Sequence, residues 1–503
     1  MAHALSLAAL HGPGPWPRAG HPLPDEQPRE PGEFVLPSVV FDGIRTHHFG
    51  VGSQPVEELA DQILDHLDNP APLLDLFAGL DVVRVADDLL QELRSRQVAR
   101  EKLRSAARFV AENATRREVA KLGIVLLGLS GDERDSELLH LLGTLDEFAL
   151  FAVVALMNTQ PDRHRAVFQL AQRLDGWGRI HAVERLAGCT DPDIKAWLLR
   201  TGFRNGVMNE YLAHLAATTG GLYEALLDDV DDALLTGAAG ILRALAMGGP
   251  ANDMHDYDDA VPAMHRFAEL VDAAAPDLGL LDAALTLERF VHTEELDWPD
   301  DEPARLRERY RSLVSQPRWH DLVMSELTAH VSIDGQAADA KERRFENALS
   351  CAGRLRVNAF PFAVARLRID PHNGYVWQWA IRYRSGPFEE IVELAEELLP
   401  LDDLASGPSE SVGLGIGYEA DMALELVVQA LHHHPGLGER LVRVALANRV
   451  IRCRWSALKL LRNWPTDHAA VRDWVATAAY REPNPDLRTA MLAFPDSGAE
   501  PVT

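Results

Sequence analysis

The feature that most constrains this chain is a helical hydrophobic period that begins near residue 55 and continues almost to the end. Leu59 and Ile63 share one apolar stripe, and the segment from Val82 to Leu93 repeats apolar residues at i, i+3, i+4 and i+7. About two dozen such segments follow, separated by short runs of Gly, Pro, Asp or Asn. No convincing alternating strand pattern accompanies them. The sequence therefore predicts an all-α fold.

The helical segments also recur at a regular distance along the chain. The aspartates that would cap three successive units are Asp132, Asp162 and Asp191, which lie 30 and 29 residues apart. The matching apolar positions are Leu139, Leu170 and Leu199 in the first helices and Leu156, Leu186 and Leu215 in the second. A two-helix unit of about 30 residues cannot bury its apolar faces alone and has to stack on its neighbours. The alternative is a helical bundle in which this spacing arises by chance.

This pattern resembles the HEAT-like and armadillo-like α-solenoids of the short-repeat bacterial kind, over about Pro55 to Pro495. The resemblance implies an α-α superhelix that holds a protein or peptide on its concave surface. The stretch from Asp175 to Leu186 is also similar to a segment of bacterial helical-repeat proteins, some of which carry an automatic limonene hydroxylase label. That label implies an enzyme acting on a small apolar molecule. The sequence itself shows no haem thiolate motif, flavin fold or iron facial triad.

Shifts in composition predict how the chain is divided. Eight prolines lie between residues 12 and 37, where they prevent helix and sheet from propagating, so we expect a disordered, proline-rich tail there. The predicted organisation is a tail and irregular lead-in at 1–54, an N-terminal array at 55–291, an acidic linker at 292–303 and a C-terminal array at 304–503, with a flexible Gly/Ser/Pro loop at 400–417.

Charge and composition exclude several classes of partner. The formal net charge of −27 opposes general binding to nucleic acid, which needs a positive surface. The longest nearly apolar run, Phe148 to Met157, has about half of the ~20 residues that a membrane span requires. Three cysteines without a C-x-x-C pair fit a reducing compartment. We therefore expect a cytoplasmic protein with no nucleic-acid partner and no membrane partner.

The polar faces of the second helices carry the best candidates for partner binding. His181, Glu184 and Arg185 fall at i, i+3 and i+4 on one helix. One repeat later, Asn205 and Asn209 are predicted to share a face one turn apart. Since the inner helices of a solenoid form its concave wall, we expect these side chains to make one ridge. The alternative is a hydrogen-bond ladder between repeats that binds no ligand.

Acidic residues crowd into one region, which has 20 carboxylates against three arginines between residues 224 and 303. Asp228, Asp229, Asp231 and Asp232 are expected to form an acidic face that steers a basic partner. The alternative is a solvated helix exterior that keeps the protein soluble.

No motif in the sequence predicts a metal, a cofactor or a catalytic residue. The run from Met254 to Asp259 and the following His265 contain metal-binding side chains, but their spacing matches neither an EF-hand nor H-E-x-x-H. The expected function is therefore a non-catalytic protein–protein interaction scaffold, with its oligomeric state left open. The alternative is an enzyme that acts on a small apolar molecule in a cleft between the two arrays.

Overall fold

The computed structural model describes residues 1–27, 37–50, 55–298, 301–331, 338–464 and 469–494. Within these ranges the chain forms 29 α-helices and no β-strand, and an isolated β-bridge joins Ser411 to Val450. The prediction of an all-α fold is confirmed. None of the helices described in these ranges is long and apolar enough to span a bilayer.

The helices are named in chain order. The first eighteen are α1 Ala2–His11, α2 Ser38–Ile44, α3 Glu57–Asp65, α4 Leu73–Leu76, α5 Val82–Ser95, α6 Arg100–Asn113, α7 Arg117–Ser130, α8 Ser136–Gly143, α9 Asp146–Thr159, α10 Arg163–Ala171, α11 Gly176–Glu184, α12 Pro192–Trp197, α13 Ala213–Gly220, α14 Leu222–Leu227, α15 Asp232–Met247, α16 Ala260–Ala273, α17 Leu278–Thr293 and α18 Glu302–Val314. The others are α19 Pro317–His330, α20 Ala338–Leu355, α21 Phe360–Ile369, α22 Gly374–Tyr383, α23 Glu389–Leu398, α24 Leu401–Leu404, α25 Glu419–Ala430, α26 Glu439–Leu446, α27 Ile451–Leu461, α28 Ala469–Arg481 and α29 Pro485–Leu492.

Contacts divide the chain into two compact units. Unit one contains the described residues up to Ala275 together with Thr286–Leu313, and unit two contains Pro276–Leu285 and the described residues from Val314 onward. The predicted acidic linker at 292–303, of which residues 299 and 300 lie outside the described part, falls in unit one, and the predicted domain bounds stay a prediction.

Helix α9 is the centre of unit one, where it packs against α7, α8, α10 and α11. It is apolar on nearly all sides, as a helix enclosed by others must be, and Phe148, Val153 and Leu156 are buried along it. Gly178 lets α11 approach closely, because a Cβ atom there would lie 2.6 Å from that of Ala149. Consecutive helices that pack in this way are compatible with a helical-repeat protein. The repeat length of about 30 residues stays a prediction.

The expectation of a disordered tail is wrong for the first 27 residues. Helix α1 occupies the start of the chain, and Trp16 and Leu23 are both buried at 4% exposure. The Trp16 Nε1–H donates to the carbonyl oxygen of Gly12 at 2.9 Å, and Asp25 accepts from the backbone N–H of Arg117 at 2.8 Å. The prolines prevent long helices here, but apolar burial and the ion pair between Asp25 and the Arg117 guanidinium, at 3.1 Å, still fix the backbone. Residues 28–36 and 51–54 lie outside the described part.

Unit two is built around large buried aromatic side chains and one buried arginine. Trp319, Trp377 and Arg454 are fully buried within it. The loop at 400–417, which we predicted to be flexible, contains the helical turn α24, and its Ser409 carbonyl oxygen accepts from Arg454 Nη2 at 2.8 Å. Side chains of the following helices therefore anchor this loop.

Candidate functional site

A cavity of about 430 Å³ lies within unit one, among helices α5, α7, α9 and α11 and the turn that follows α2. Its walls are mostly aliphatic and aromatic, and include Leu90, Val125, Leu150 and Phe151, although the Asp87 carboxylate of α5 lines the cavity as well. The space exists because short side chains line it between these larger ones: Ala86, Gly128 and Ala155. The cavity is therefore a product of small residues at facing helix positions.

One end of the cavity is polar. His181 and Glu184 reach it from α11, and Thr46 and His47 reach it from the turn after α2. Arg185, which is exposed, also lines this end. The arrangement combines an apolar chamber with a small set of converging polar groups, which is typical of small-molecule sites.

Helix α11 positions the residues that the sequence singled out. It begins at Asp175, whose carboxylate accepts from the Gly176 N–H at 2.9 Å. Since residues at i, i+3 and i+4 lie on one side of a helix, His181, Glu184 and Arg185 come to the same end of the cavity. All three side chains line the cavity, and their predicted role in binding stays a prediction.

The turn that carries His47 is fixed by a buried lysine. Lys121 Nζ lies 3.1 Å from an oxygen of Asp42, 2.8 Å from one of Glu118 and 2.7 Å from one of Glu147. Burial alone lowers the pKa of Lys121, but the carboxylates of Glu147, Glu118 and Asp42 outweigh it and raise that pKa. Lys121 is therefore charged at neutral pH, and it ties α2 to α7 and α9.

A glycine brings the same turn close to α11. A Cβ atom on Gly43 would lie 2.3 Å from Cδ2 of the Trp177 indole, so only glycine allows α2 this approach. The chain then continues into a π-helical turn over Arg45–Phe49, a geometry that is frequent at functional sites. The His47 ring lies 5.3 Å from that of Trp177 and 5.2 Å from that of His181, between centroids.

His47 is held at both ring nitrogens. Its Nδ1 lies 2.9 Å from the carbonyl oxygen of Gly43, which can only accept, so Nδ1 carries the proton. Its Nε2 lies 2.8 Å from Oε1 of Glu184. The hydrogen bond to Glu184 is the main reason that the pKa of His47 is raised above its ordinary value. The contact with Glu184 thus favours the protonated form of His47.

His181 is in the opposite situation. It is only 5% exposed, and within the described residues no hydrogen bond reaches either of its ring nitrogens. Its Nδ1 lies 4.0 Å from Oε2 of Glu184, too far for a hydrogen bond. Burial lowers the pKa of His181 to about 4, so the ring is neutral at pH 7. A neutral imidazole with a free lone pair therefore faces the cavity.

The three side chains form one cluster. One ligand atom from each of His47, His181 and Glu184 can be chosen so that all lie within 4.8 Å of one another. Two imidazoles and a carboxylate at this spacing can share protons or bind a divalent metal ion. The sequence did not bring them together, because Glu184 and His47 are 137 residues apart.

The two predicted asparagines do not join the cluster, and their predicted helical face is wrong. The chain at 203–208 is not helical, since the π-helical turn Leu198–Gly202 ends before it. The Asn205 side chain accepts from the N–H of Met208 at 2.8 Å, and Asn209 Oδ1 accepts from the N–H of Asn205 at 3.2 Å. Both amides stabilise a turn, as Asn side chains often do.

Tyr211 packs beside the cluster, against His47 and Trp177. Its ring lies 5.5 Å from that of His47 and 5.2 Å from that of Trp177, between centroids. Its hydroxyl lies 2.8 Å from Nε2 of His48. The polar end of the cavity is therefore backed by an aromatic layer that the sequence did not predict. The sequence does show aromatic and imidazole side chains at 47–48, 177 and 211, but no pattern in it indicates that they contact one another.

The predicted acidic face is exposed at all four positions. One of them has a structural role: Asp231 caps α15 by accepting from the N–H of Leu234 at 2.6 Å, and it pairs with Arg200 at 2.8 Å. That contact with Arg200 lowers the pKa of Asp231. Among the described residues, Asp228, Asp229 and Asp232 have no hydrogen bond or ion pair.

Comparison of the chain with protein-family models, with curated proteins and with solved structures gives no significant match. The solenoid family suggested by the sequence therefore stays a prediction, and the cavity of unit one is the strongest indication of function.

Proposed function

We propose that the protein binds a small, mostly apolar molecule with one polar group in the cavity of unit one. The observation that carries the proposal is that aliphatic and aromatic walls end at converging polar side chains. The volume of about 430 Å³ falls within the roughly 300–1,000 Å³ that is usual for such sites. The ligand is a small apolar molecule, as in the enzyme alternative that the sequence left open. The proposed site, however, lies inside one unit instead of in a cleft between two arrays.

The walls define the kind of molecule. Leu90, Val125 and Phe151 offer no hydrogen bond, so a polar group placed among them would lose its contacts with water without replacement. The body of the ligand is therefore a hydrocarbon. Burial of that body supplies most of the binding free energy.

The polar end defines the functional group. The Glu184 carboxylate can accept a hydrogen bond, and the Arg185 guanidinium, which has no ion pair among the described residues, can donate one. A hydroxyl group satisfies both, whereas a ketone can accept from Arg185 but cannot donate to Glu184. An alcohol is the better match because it can donate and accept at once.

Ligand-induced stabilisation tests this proposal. We expect 1-octanol to raise the melting temperature of the wild-type protein in a concentration-dependent way, since a ligand that binds only the folded state stabilises it. Ala86→Phe puts a ring into the cavity and is expected to abolish the shift.

A matched control separates cavity filling from general damage. Ala196 is also a half-buried helical alanine, but it does not line the cavity, so Ala196→Phe should keep the full octanol shift. Equal shifts in the two variants, or none in the wild-type protein, contradict the proposal.

The interaction scaffold remains a second proposal, supported by three exposed aspartates without an ion pair among the described residues: Asp228, Asp229 and Asp232. If these carboxylates attract a basic partner, an oligolysine peptide should bind and should dissociate as salt is added, because exposed charges are screened beyond about 8 Å at physiological ionic strength. The double variant Asp228→Asn, Asp229→Asn should weaken this binding. Binding that is unchanged in the variant contradicts the scaffold proposal.

A further inference from the structure

We infer that His47, His181 and Glu184 form a binding site for a divalent transition-metal ion at the polar end of the cavity. The inference goes beyond the proposed function and does not depend on it, since metal binding can be measured without any organic ligand.

The donor atoms have the chemistry and the spacing that such an ion requires. Two imidazole nitrogens and one carboxylate oxygen form a donor set typical of zinc and of other first-row divalent metals. Metal bonds of about 2.0–2.1 Å in a tetrahedral site place neighbouring donors about 3.3 Å apart. His47 Nε2 lies 2.8 Å from Oε1 of Glu184 and His181 Nδ1 lies 4.0 Å from its Oε2, and one ligand atom from each of the three residues can be chosen so that all lie within 4.8 Å of one another. Small side-chain rotations therefore suffice to form the site.

The orientation of His47 is already that of a metal ligand. Its Nδ1–H donates to the carbonyl oxygen of Gly43 at 2.9 Å, which leaves Nε2 directed at the cluster. Histidine ligands almost always donate their second N–H to a carbonyl or carboxylate in this way, because that contact fixes the ring and its tautomer. The other two donors lie at i and i+3 on α11, a rigid base for both.

His181 supplies an independent observation. Its side chain is more than nine-tenths buried and lines the cavity, no hydrogen bond to it is found among the described residues, and its ring nitrogens are not fully enclosed, so they are accessible from the cavity. Buried polar side chains are nearly always paired, so an unpaired imidazole at this place calls for a partner. His140 shows the usual arrangement: at equal exposure, its two ring nitrogens lie 2.8 and 2.9 Å from backbone carbonyl oxygens. A metal ion would be the missing partner of His181.

The site also has room for exchangeable ligands. Three protein donors leave at least one coordination position of the ion unfilled, as in catalytic metal sites. Because all three donors line the cavity, that position opens onto it. Water, or the oxygen of a bound molecule, would complete the coordination.

Titration of the metal-free, full-length protein with Co²⁺ and Zn²⁺ tests the inference. Co²⁺ reports on its own coordination through visible absorption, and Zn²⁺ should displace it. We expect one tight equivalent in the wild-type protein. Glu184→Gln and His181→Gln should each weaken affinity at least about 100-fold, because the loss of an outer partner of a ligand already weakens it 10–100-fold.

Two controls make the outcome specific. His48 is adjacent to His47 but outside the cluster, so His48→Gln should bind the ion like the wild-type protein. The run His432–His434 could also bind cobalt, so the triple variant with Gln at these positions should bind it unchanged too. If the triple variant loses the tight equivalent, the ion binds elsewhere and the inference is overturned.

Two further measurements distinguish the loss of a metal ligand from a failure to fold. If circular dichroism shows that His181→Gln does not fold, Glu184→Gln decides, since its side chain is 37% exposed and the substitution preserves shape. Metal affinity that is unchanged in Glu184→Gln overturns the inference. Ala86→Phe is expected to bind the metal normally while losing the octanol shift, so the metal site and the proposed function can fail separately.

Discussion

Arg454 in unit two and His181 in unit one are both buried polar side chains, and they differ in how completely they are paired. In unit two, the Nε and Nη2 atoms of Arg454 donate to the two carboxylate oxygens of Glu482 at 2.7 and 2.8 Å, and Nη1 donates to the Asn448 carbonyl oxygen at 2.8 Å. In unit one, His181 is buried beside a cavity with no hydrogen bond in the described part of the chain. Burial alone therefore does not indicate a functional site, whereas unpaired donors next to open space do.

Truncation of a fully paired buried side chain such as Arg454 is expected to have the largest effect on stability. Arg454→Met leaves the Glu482 carboxylate buried without its cation, which is expected to destabilise unit two by about 3–5 kcal/mol. Lys121→Met should have an effect of similar size in unit one, because it leaves three carboxylates without their shared lysine. Urea unfolding followed by circular dichroism measures both. Losses below about 1 kcal/mol would mean that these networks are not structural.

The next largest effect on stability is expected at Asp146, a buried carboxylic acid that is only partly paired. Asp146 accepts from the N–H of Gly178 at 2.7 Å, but burial dominates and raises the pKa of Asp146 to about 7, with the nearby charges of Glu147 and Asp175 adding to the rise. The folded state then holds a proton that the unfolded state releases above pH 4, so this group lowers stability as pH rises from about 4 to 7.

Asp146→Asn removes that dependence. Relative to the wild-type protein, the stability of the variant should increase by about 2–4 kcal/mol between pH 4 and pH 8. Unfolding free energies of both proteins across this range provide the measurement. A difference that stays constant with pH contradicts the assignment.

A substitution at Gly43 tests whether the close approach of α2 to α11 is needed at the polar end of the cavity. Gly43→Ala places a methyl group 2.3 Å from the Trp177 ring, so α2 has to move away from α11. We expect a loss of about 1–3 kcal/mol, as is usual for overpacking, and a weaker contact between His47 and Glu184. Thermal unfolding measures the first effect, and the imidazole resonances of His47 in NMR spectra measure the second. A variant with wild-type stability and spectra would show that the close approach is dispensable.

Two histidines of equal burial give a sharper comparison. His140→Ala removes contacts to backbone oxygens at both ring nitrogens and should lose about 1–3 kcal/mol. His181→Ala removes no hydrogen bond found in the described residues and enlarges a cavity that already exists, so we expect a smaller loss than for His140→Ala. The melting temperatures of the two variants decide. The reverse order would identify His181 as a structural residue.

The smallest effect on stability is expected at Arg185. Its guanidinium is exposed and forms no ion pair within the described residues, so Arg185→Ala should change stability by less than about 0.5 kcal/mol. The shift caused by 1-octanol should nevertheless become smaller, because the hydroxyl loses a donor. Arg185→Lys should restore only part of it, since lysine lacks the planar fork of arginine. A melting temperature that falls sharply in Arg185→Ala, together with full restoration by lysine, would describe a structural cation.

Local features of the site were predictable from the sequence, and distant ones were not. The grouping of His181, Glu184 and Arg185 follows from the period of a single helix. His47 belongs to the lead-in, which the prolines predict to be irregular, and contacts distant in sequence, among them those of Gly43 and Lys121, hold it beside α11. Such long-range contacts leave no periodic pattern in a single sequence.

The errors also have physical causes. The helical period was extended through Asn205, where a side-chain amide that bonds the backbone favours a turn over a helix. In the first 27 residues, the prolines received more weight than the apolar Trp16 and Leu23, whose burial organises that segment. The all-α class itself was predictable because the helical period is sustained through most of the chain.

A crystal structure of the protein grown with 1-octanol is the most direct test of the central claim, that the cavity of unit one is the ligand site. We expect electron density for the alkyl chain among Leu90, Val125 and Phe151, with the hydroxyl oxygen at the end of the cavity formed by Glu184 and Arg185. A cavity filled by its own side chains, or octanol bound only elsewhere, would contradict it.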